Sequence, residues 1–220
     1  MDHIKLFEEF KIKPRAVDVP VYSTGQRPVN IDNKKVIRKQ DMIVATNDTI
    51  KQIVRDEINR LGKDADLNHI DTSQVTNMMS VFARTDFQGD VSQWDVSSIE
   101  SMYSMFYRCS NFNCDISSWD VRNVKNMTSM FYGCENFNQD ISKWDVSKVK
   151  DMRRIFEGCT NFNQDLSKWN TSNVYDMYCM FASCISFNQD ISNWNVSKVK
   201  NTCYTFYKCP IKEEYKPKFK

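Results

Sequence analysis

A 25-residue period dominates the chain. Residues Asp115 to Gln139 read D-I-S-S-W-D-V-R-N-V-K-N-M-T-S-M-F-Y-G-C-E-N-F-N-Q, and Asp140 to Gln164 restate them with most apolar letters held and many exposed letters changed. Full repeats begin at Asp90, Asp115, Asp140, Asp165 and Asp190, and a shorter first one covers residues 66–89 with Ile70 in the tryptophan position. A period of this size marks units that cannot bury their apolar faces alone and do so by stacking. An atypical first repeat and a decaying sixth, where Thr202 replaces the methionine, are what the ends of such an array require.

Aligned columns divide the labour. Val91, Ile116, Ile141, Leu166 and Ile191 form an aliphatic column, followed by Trp94, Trp119, Trp144, Trp169 and Trp194. Further apolar columns hold Val96, Val121, Val146 and Val196; Ile99, Val124, Val149, Val174 and Val199; and Met78, Met102, Met127, Met152 and Met177. Phe82 to Phe206 and Phe87 to Phe187 recur as two more. Stacked aromatics are core, since each removes about 150–250 Å² from water. The I-x-x-W-D-V segment has leucine-rich-repeat spacing and alternates as a short strand does, whereas V-x-x-M-x-x-M-F-x-x-C steps by three and four as a short helix does. The expected fold class is therefore an α/β repeat solenoid, leucine-rich-repeat-like, with six coils of short strand plus short helix.

Polar columns have their own work. Asp66, Asp90, Asp115, Asp140, Asp165 and Asp190 would place like charges about 5 Å apart, so they are expected to cap backbone N–H groups in Asx-turns. Calcium is the alternative, disfavoured because the chain has only five glycines. Asn113, Asn138, Asn163 and Asn188 are expected to bond along the ladder. Cys109, Cys134, Cys159, Cys184 and Cys209 share one column and read as small buried hydrophobes, with a disulfide between neighbours left open.

Outside the repeats, residues 1–46 form a non-repetitive arm. Ile4, Phe7 and Phe10 suggest a short helical face, Pro14, Pro20 and Pro28 keep the chain irregular, and Lys34, Lys35, Arg38 and Lys39 make a basic cluster. Residues 47–65 read as an N-terminal capping helix and linker: Asn47 or Asp48 as N-cap, Ile50, Ile53, Val54, Ile58 and Leu61 on one face, and Gly62 as terminator. The solenoid spans 66–209, and 210–220 is a polar tail.

A net charge of +2 gives no general affinity for nucleic acid or membrane. No apolar run reaches the roughly 18 residues of a membrane span, and the acidic start lacks an export signal. The reading is cytoplasmic, or part of a virion assembled there. No metal-ligand spacing, phosphate-cradling glycine loop or nucleophile–base motif is present, so neither enzyme activity nor a cofactor is expected.

The columns D-I-S-x-W-D-V-S-x-V-x-x-M-x-x-M-F-x-x-C-x-x-F-N-x resemble the 25-residue repeat of BspA-like leucine-rich-repeat surface proteins, the type also found in mycoplasma lipoproteins. The resemblance covers residues 47–209 and implies a solenoid used for adhesion or protein recognition. The opening Ile4-Lys5-Leu6-Phe7-Glu8-Glu9-Phe10 is similar to the N-termini of some tailed-phage proteins. Two functions follow as expectations: a non-catalytic module presenting its repeat surface to a protein or glycan, or a subunit of a viral particle docked through residues 1–46. Candidate partner-binding residues are the outward positions Gln93, Ser118, Lys143, Lys168 and Asn193 before the tryptophans, Asp95, Asp120, Asp145, Asn170 and Asn195 after them, and Arg122 beyond. Tyr103, Tyr107, Tyr132, Tyr175, Tyr178, Tyr204 and Tyr207 offer a second, aromatic face.

Overall fold

A computed structural model describes residues 42–219. The helical face at Ile4, Phe7 and Phe10, the basic cluster and the proposed docking role of the arm, except for residues 42–46, lie outside the described residues.

Helix α1 (Ile50–Leu61) follows Thr49, and Gly62 ends it at φ 94°, its N–H donating to the Ile58 carbonyl at 2.8 Å. Neither expected N-cap residue caps it with a side-chain bond. Asn47 is used by the first repeat instead: its Oδ1 accepts from the N–H groups of Thr76 (2.9 Å) and Asn77 (3.0 Å). Ile50 and Val54 are buried, while Leu61 is exposed, so the apolar face ends earlier than its spacing suggests. Glu57 joins that face, 7% exposed, because its carboxylate is paired with Arg60 and with His69 Nε2 (2.7 Å).

Strand β1 (Ile43–Val44) pairs in parallel with β2 (Ile70–Asp71) in the register Ile43 to Ile70. Residues 43–45 therefore lie against the first repeat, and the arm's boundary falls before residue 46.

From Thr72 to Lys212 the chain forms neither helix nor strand, which corrects the expected strand-plus-helix coil. Single parallel bridges join equivalent residues instead, running Asn77, Ser101, Asn126, Asp151, Asp176, Asn201. The reason lies in where the N–H groups point. In the second repeat Met105, Tyr107 and Cys109 donate three residues back, to Met102, Ser104 and Phe106, whereas Met102, Ser104, Phe106 and Arg108 donate to Asn126, Thr128, Met130 and Tyr132 of the next repeat. A helix needs every N–H bonded four residues back, so this alternation excludes one. It is sustained by two left-handed positions per repeat: Ser80, Ser104, Ser129, Arg154, Cys179 and Tyr204 in one column, and Arg84, Arg108, Gly133, Gly158, Ser183 and Lys208 in the other.

The Trp-Asp-Val segment forms no strand either. Asp95, Asp120 and Asp145 fold back to accept from the N–H two residues on, closing an Asx-turn where a strand was expected. The leading aspartates do the same: Asp115 accepts from Ser117 N–H at 3.0 Å and Asp140 from Ser142 N–H at 2.9 Å.

These bonds overcome the like-charge spacing. The Ser117, Ser167 and Ser192 N–H groups hold Asp115, Asp165 and Asp190 below the usual carboxylate range, and repulsion of Asp115 by Asp140 and Asp90 is a smaller effect. At Asp90 burial pushes the other way and is outweighed by bonds from Ser92, Asn68 and Cys114. Glu57 is likewise lowered, first by Arg60. Groups depressed on folding stabilise fully above their unfolded pKa, about 4, and lose that contribution as pH falls through the lower folded values. The thermal midpoint is thus expected to hold from pH 7 to 5 and to drop below pH 4. A midpoint unchanged at pH 2.5 would contradict the Asx-turn account.

The core is a set of ladders. Phe106, Phe131 and Phe156 stack at centroid spacings of 5.8 and 5.9 Å, nearly parallel, and Phe137 lies 4.0 Å from Phe131. Each tryptophan donates Nε1–H to a carbonyl of the preceding repeat, as Trp144 does to Ile116 at 3.2 Å. Cys134, Cys159 and Cys184 donate Sγ–H to the carbonyls of Phe106, Phe131 and Phe156 at 3.0, 2.9 and 2.8 Å. All eight cysteines are free. The asparagine column also bonds along the array: Asn113 Oδ1 accepts from Asn138 N–H, and Asn138 Oδ1 from Asn163 N–H, both at 2.9 Å.

The tail continues the structure. Ile211 is buried, Ile191 N–H donates to the Tyr215 carbonyl at 3.0 Å, and the Phe219 ring lies 6.4 Å from Phe206. A 3₁₀ turn at Glu213–Tyr215 carries this segment over the sixth repeat.

Candidate functional site

The predicted partner-binding residues reach the surface, but most are already engaged. Asp95 accepts from both the N–H and the hydroxyl of Ser97, at 3.0 and 2.7 Å. Asp120, half-buried, accepts from the N–H and Nε of Arg122. Asp145, Asn170 and Asn195 accept from the N–H groups of Ser147, Ser172 and Ser197. Ser118 donates to the Ser92 carbonyl at 3.3 Å and Asn193 to the Ser167 carbonyl at 2.9 Å. The row after the tryptophans is thus turn machinery. Gln93, Lys143 and Lys168 are exposed, and their side chains make no hydrogen bond or ion pair among the described residues.

The opposite segment, carrying the two left-handed columns, builds something less regular. The Tyr107 and Tyr132 rings stack at 4.7 Å. Arginines lie over the tyrosines: Arg84 over Tyr107 at 5.8 Å, Arg108 over Tyr107 and Tyr132 at 5.6 and 5.9 Å, and Arg154 over Tyr132 and Tyr178 at 6.0 and 5.2 Å. Each contact is worth about 0.5–1 kcal/mol at an exposed site, and together they hold the guanidinium groups beside the rings. Arg84 and Arg108 make no ion pair among the described residues. Arg154 reaches Glu157 at 3.5 Å, and burial raises the Glu157 carboxyl despite that arginine. The last repeat ends the row with Lys208 over Tyr207 at 5.3 Å.

Of the tyrosines read as an aromatic face, Tyr107, Tyr132 and Tyr178 join this row, and Tyr178, Tyr204 and Tyr207 meet edge to face. Tyr175 stands apart, exposed in the column of Lys125, Lys150 and Lys200. Sequence reasoning missed the arginines. Their partial signal was the Tyr107-Arg108 pair, with arginine also at 84 and 154 on the same segment.

Two depressions flank the row. One, about 640 Å³, runs from Arg84 and Tyr107 across Ser104, Thr128 and Ser129 to Arg153, Arg154 and Tyr178. The other, about 530 Å³, lies by Arg108, Tyr132, Gly133 and Gly158, with Glu135 and Glu157 in its wall. Arg153 is neutralised by Asp151, whose Oδ2 is 2.8 Å from it. The chemistry on offer is therefore oxyanion recognition: guanidinium groups held beside tyrosine rings, with Arg84 and Arg108 making no ion pair among the described residues and so available for bidentate bonds.

Two thiols and a histidine outside the row are suppressed or paired. Burial pushes the Cys109 and Cys114 thiols up to about 11 and about 12. His69 is engaged by Glu57. Among the described residues no cluster of His, Cys, Asp or Glu could hold a metal ion, and no helix is long and apolar enough to cross a membrane.

A family model described as "Mycoplasma protein of unknown function, DUF285" matches residues 49–159 and again 137–214. No curated protein and no solved structure matches the chain.

Proposed function

From the premise that this chain belongs to the mycoplasma-type repeat family DUF285, we propose that it is a non-catalytic recognition module, a repeat solenoid that presents the arginine–tyrosine row to a protein or glycan. The row itself carries this reading. Arg84, Arg108 and Arg154, interleaved with Tyr107, Tyr132 and Tyr178, lie on the surface of an array whose other polar columns are largely spent on internal bonds. Arginine and tyrosine are the residue types that dominate contact energy at recognition surfaces. The repeat then acts as a scaffold, and the side chains that differ from repeat to repeat supply specificity. The resemblance to BspA-like surface proteins fits this role.

The test is binding of the purified full chain to panels of immobilised extracellular proteins and glycans. Saturable binding to at least one of them is expected. Replacing Arg84, Arg108 and Arg154 together by Gln should weaken it at least tenfold, while Lys143→Glu with Lys168→Glu should leave it within twofold. If the wild-type chain binds nothing on either panel, or the arginine variant binds as well as wild type, the reading fails.

A further inference from the structure

The larger depression has features that narrow its ligand. Its floor is made of small hydroxyl side chains, Ser104, Thr128 and Ser129, each no more than 7% exposed. Thr128 Oγ1 is buried with no hydrogen-bond partner. An unpaired buried hydroxyl costs about 1–3 kcal/mol, which a ligand group reaching it through a small opening of the floor would offset. Arg84 stands at one end and Arg154, whose Nε lies 3.5 Å from Glu157, at the other, and among the described residues no carboxylate lines the depression itself.

The backbone there is closed. Ser104 N–H donates to the Thr128 carbonyl at 2.9 Å and Ser129 N–H to the Arg153 carbonyl at 2.8 Å. The Ser104 and Ser129 carbonyls accept from Tyr107 and Tyr132 at 3.1 and 3.2 Å. An extended acidic peptide, which binds largely by main-chain bonds to an open edge, finds no edge here. Guanidinium groups already cover Tyr107 and Tyr132, which also stack on each other, so these rings are not open platforms for bases. What remains is a ligand that offers oxyanions to the arginines and hydroxyls to the floor.

We propose that this depression binds an anionic saccharide, its carboxylate or sulfate groups on Arg84 and Arg154 and a ring hydroxyl on Thr128. The assignment rests on the reading of this face as a recognition surface and adds the ligand's class. A depression of about 640 Å³ is within the range of about 300–1,000 Å³ that small-ligand sites occupy.

Calorimetric titrations of the full chain with size-matched dextran sulfate, dextran, poly-glutamate and poly-uridylate test it. Dextran sulfate is expected to bind saturably, at least tenfold more tightly than the other three. Arg84→Gln with Arg154→Gln should abolish that preference. Thr128→Val, which removes the hydroxyl and keeps shape and net charge, should weaken dextran sulfate at least fivefold with the thermal midpoint held or raised, since the unpaired hydroxyl is lost with its cost. Equal binding of poly-glutamate or poly-uridylate overturns the saccharide assignment in favour of a peptide or nucleic acid. Wild-type affinity in Thr128→Val overturns the floor's role and with it the site. A chain that binds a panel protein or a neutral glycan but not dextran sulfate overturns this inference alone and leaves the recognition module standing.

Discussion

Phe131→Ala is expected to cost about 3–5 kcal/mol, the range for deleting a large aromatic from a packed core. Phe131 is fully buried, and its ring meets Phe106, Phe137 and Phe156 at 5.8, 4.0 and 5.9 Å and Trp144 at 6.3 Å. The cavity would open between two repeats that have no alternative filler, since adjoining rungs are also phenylalanine. Backbone bonds, such as Phe131 N–H to the Ile155 carbonyl at 3.0 Å, hold the walls apart and limit collapse. Against a total stability of about 5–15 kcal/mol, such a loss leaves a marginal fold. Phe206→Ala in the last repeat, where the side chain is only partly buried, should cost less than half as much. Urea denaturation of both variants gives the comparison. Equal losses at the two positions would mean that the phenylalanine ladder is not the stabilising element described above.

Among the described residues, Gly89→Ala should be the most damaging glycine replacement. A Cβ on Gly89 would lie 2.0 Å from the Ala65 carbonyl oxygen and 2.8 Å from the Ala65 carbonyl carbon. Both are backbone atoms, so no side chain can swing aside. The same carbonyl accepts from Asp90 N–H at 3.0 Å, and the bridge between Asp66 and Asp90 joins the first two repeats there. Parting them would break that junction, and a loss of at least about 3 kcal/mol is expected, at the upper end for overpacking. Gly133→Ala is the control. Its φ of 68° disfavours a side chain, but the nearest atom to its Cβ is 3.5 Å away, so about 1–2 kcal/mol is expected. Thermal unfolding of the two variants should rank Gly89→Ala well below Gly133→Ala. A Gly89→Ala protein as stable as wild type would show that the first two repeats do not meet as closely as described.

The columns made the core readable before any coordinates. Val91, Trp94, Met102, Phe106 and Phe112 and most of their equivalents are buried, because a residue type held over several periods is held by its neighbours. The aspartate column was readable for a similar reason, since an acid recurring beside serines has backbone N–H groups within reach. The local conformation was not. Apolar spacing by three and four arises from a helix, but also from successive three-residue turns with alternate N–H groups turned outward. The usual signal for such turns is glycine, and here Ser104, Ser129, Arg154 and Cys179 hold the left-handed positions instead. The arginine row escaped because it is drawn from two columns. Arg84 and Arg108 share one with Gly133 and Gly158, while Arg154 belongs to another with Ser104 and Ser129. Neither column is arginine throughout, so only the lateral bonding that brings neighbouring repeats into register reveals the alignment.

The bonds between repeats have a consequence for how such a chain changes over generations. Each repeat bonds to its neighbour by column: Ser104 to Thr128, Ser129 to Arg153, Asn113 to Asn138. Recombination between the coding segments of any two full repeats, crossing at matching positions, would add or remove 25 residues and leave nearly every bond with a partner of its own kind. Only the ends, where α1 and the 211–219 segment cover the array, are tied to a fixed place. Length is then a heritable variable largely separate from stability, and each such event lengthens or shortens the array by about 5 Å. A gene lineage of this kind can resize its exposed surface in one step and refine the exposed side chains afterwards, one codon at a time.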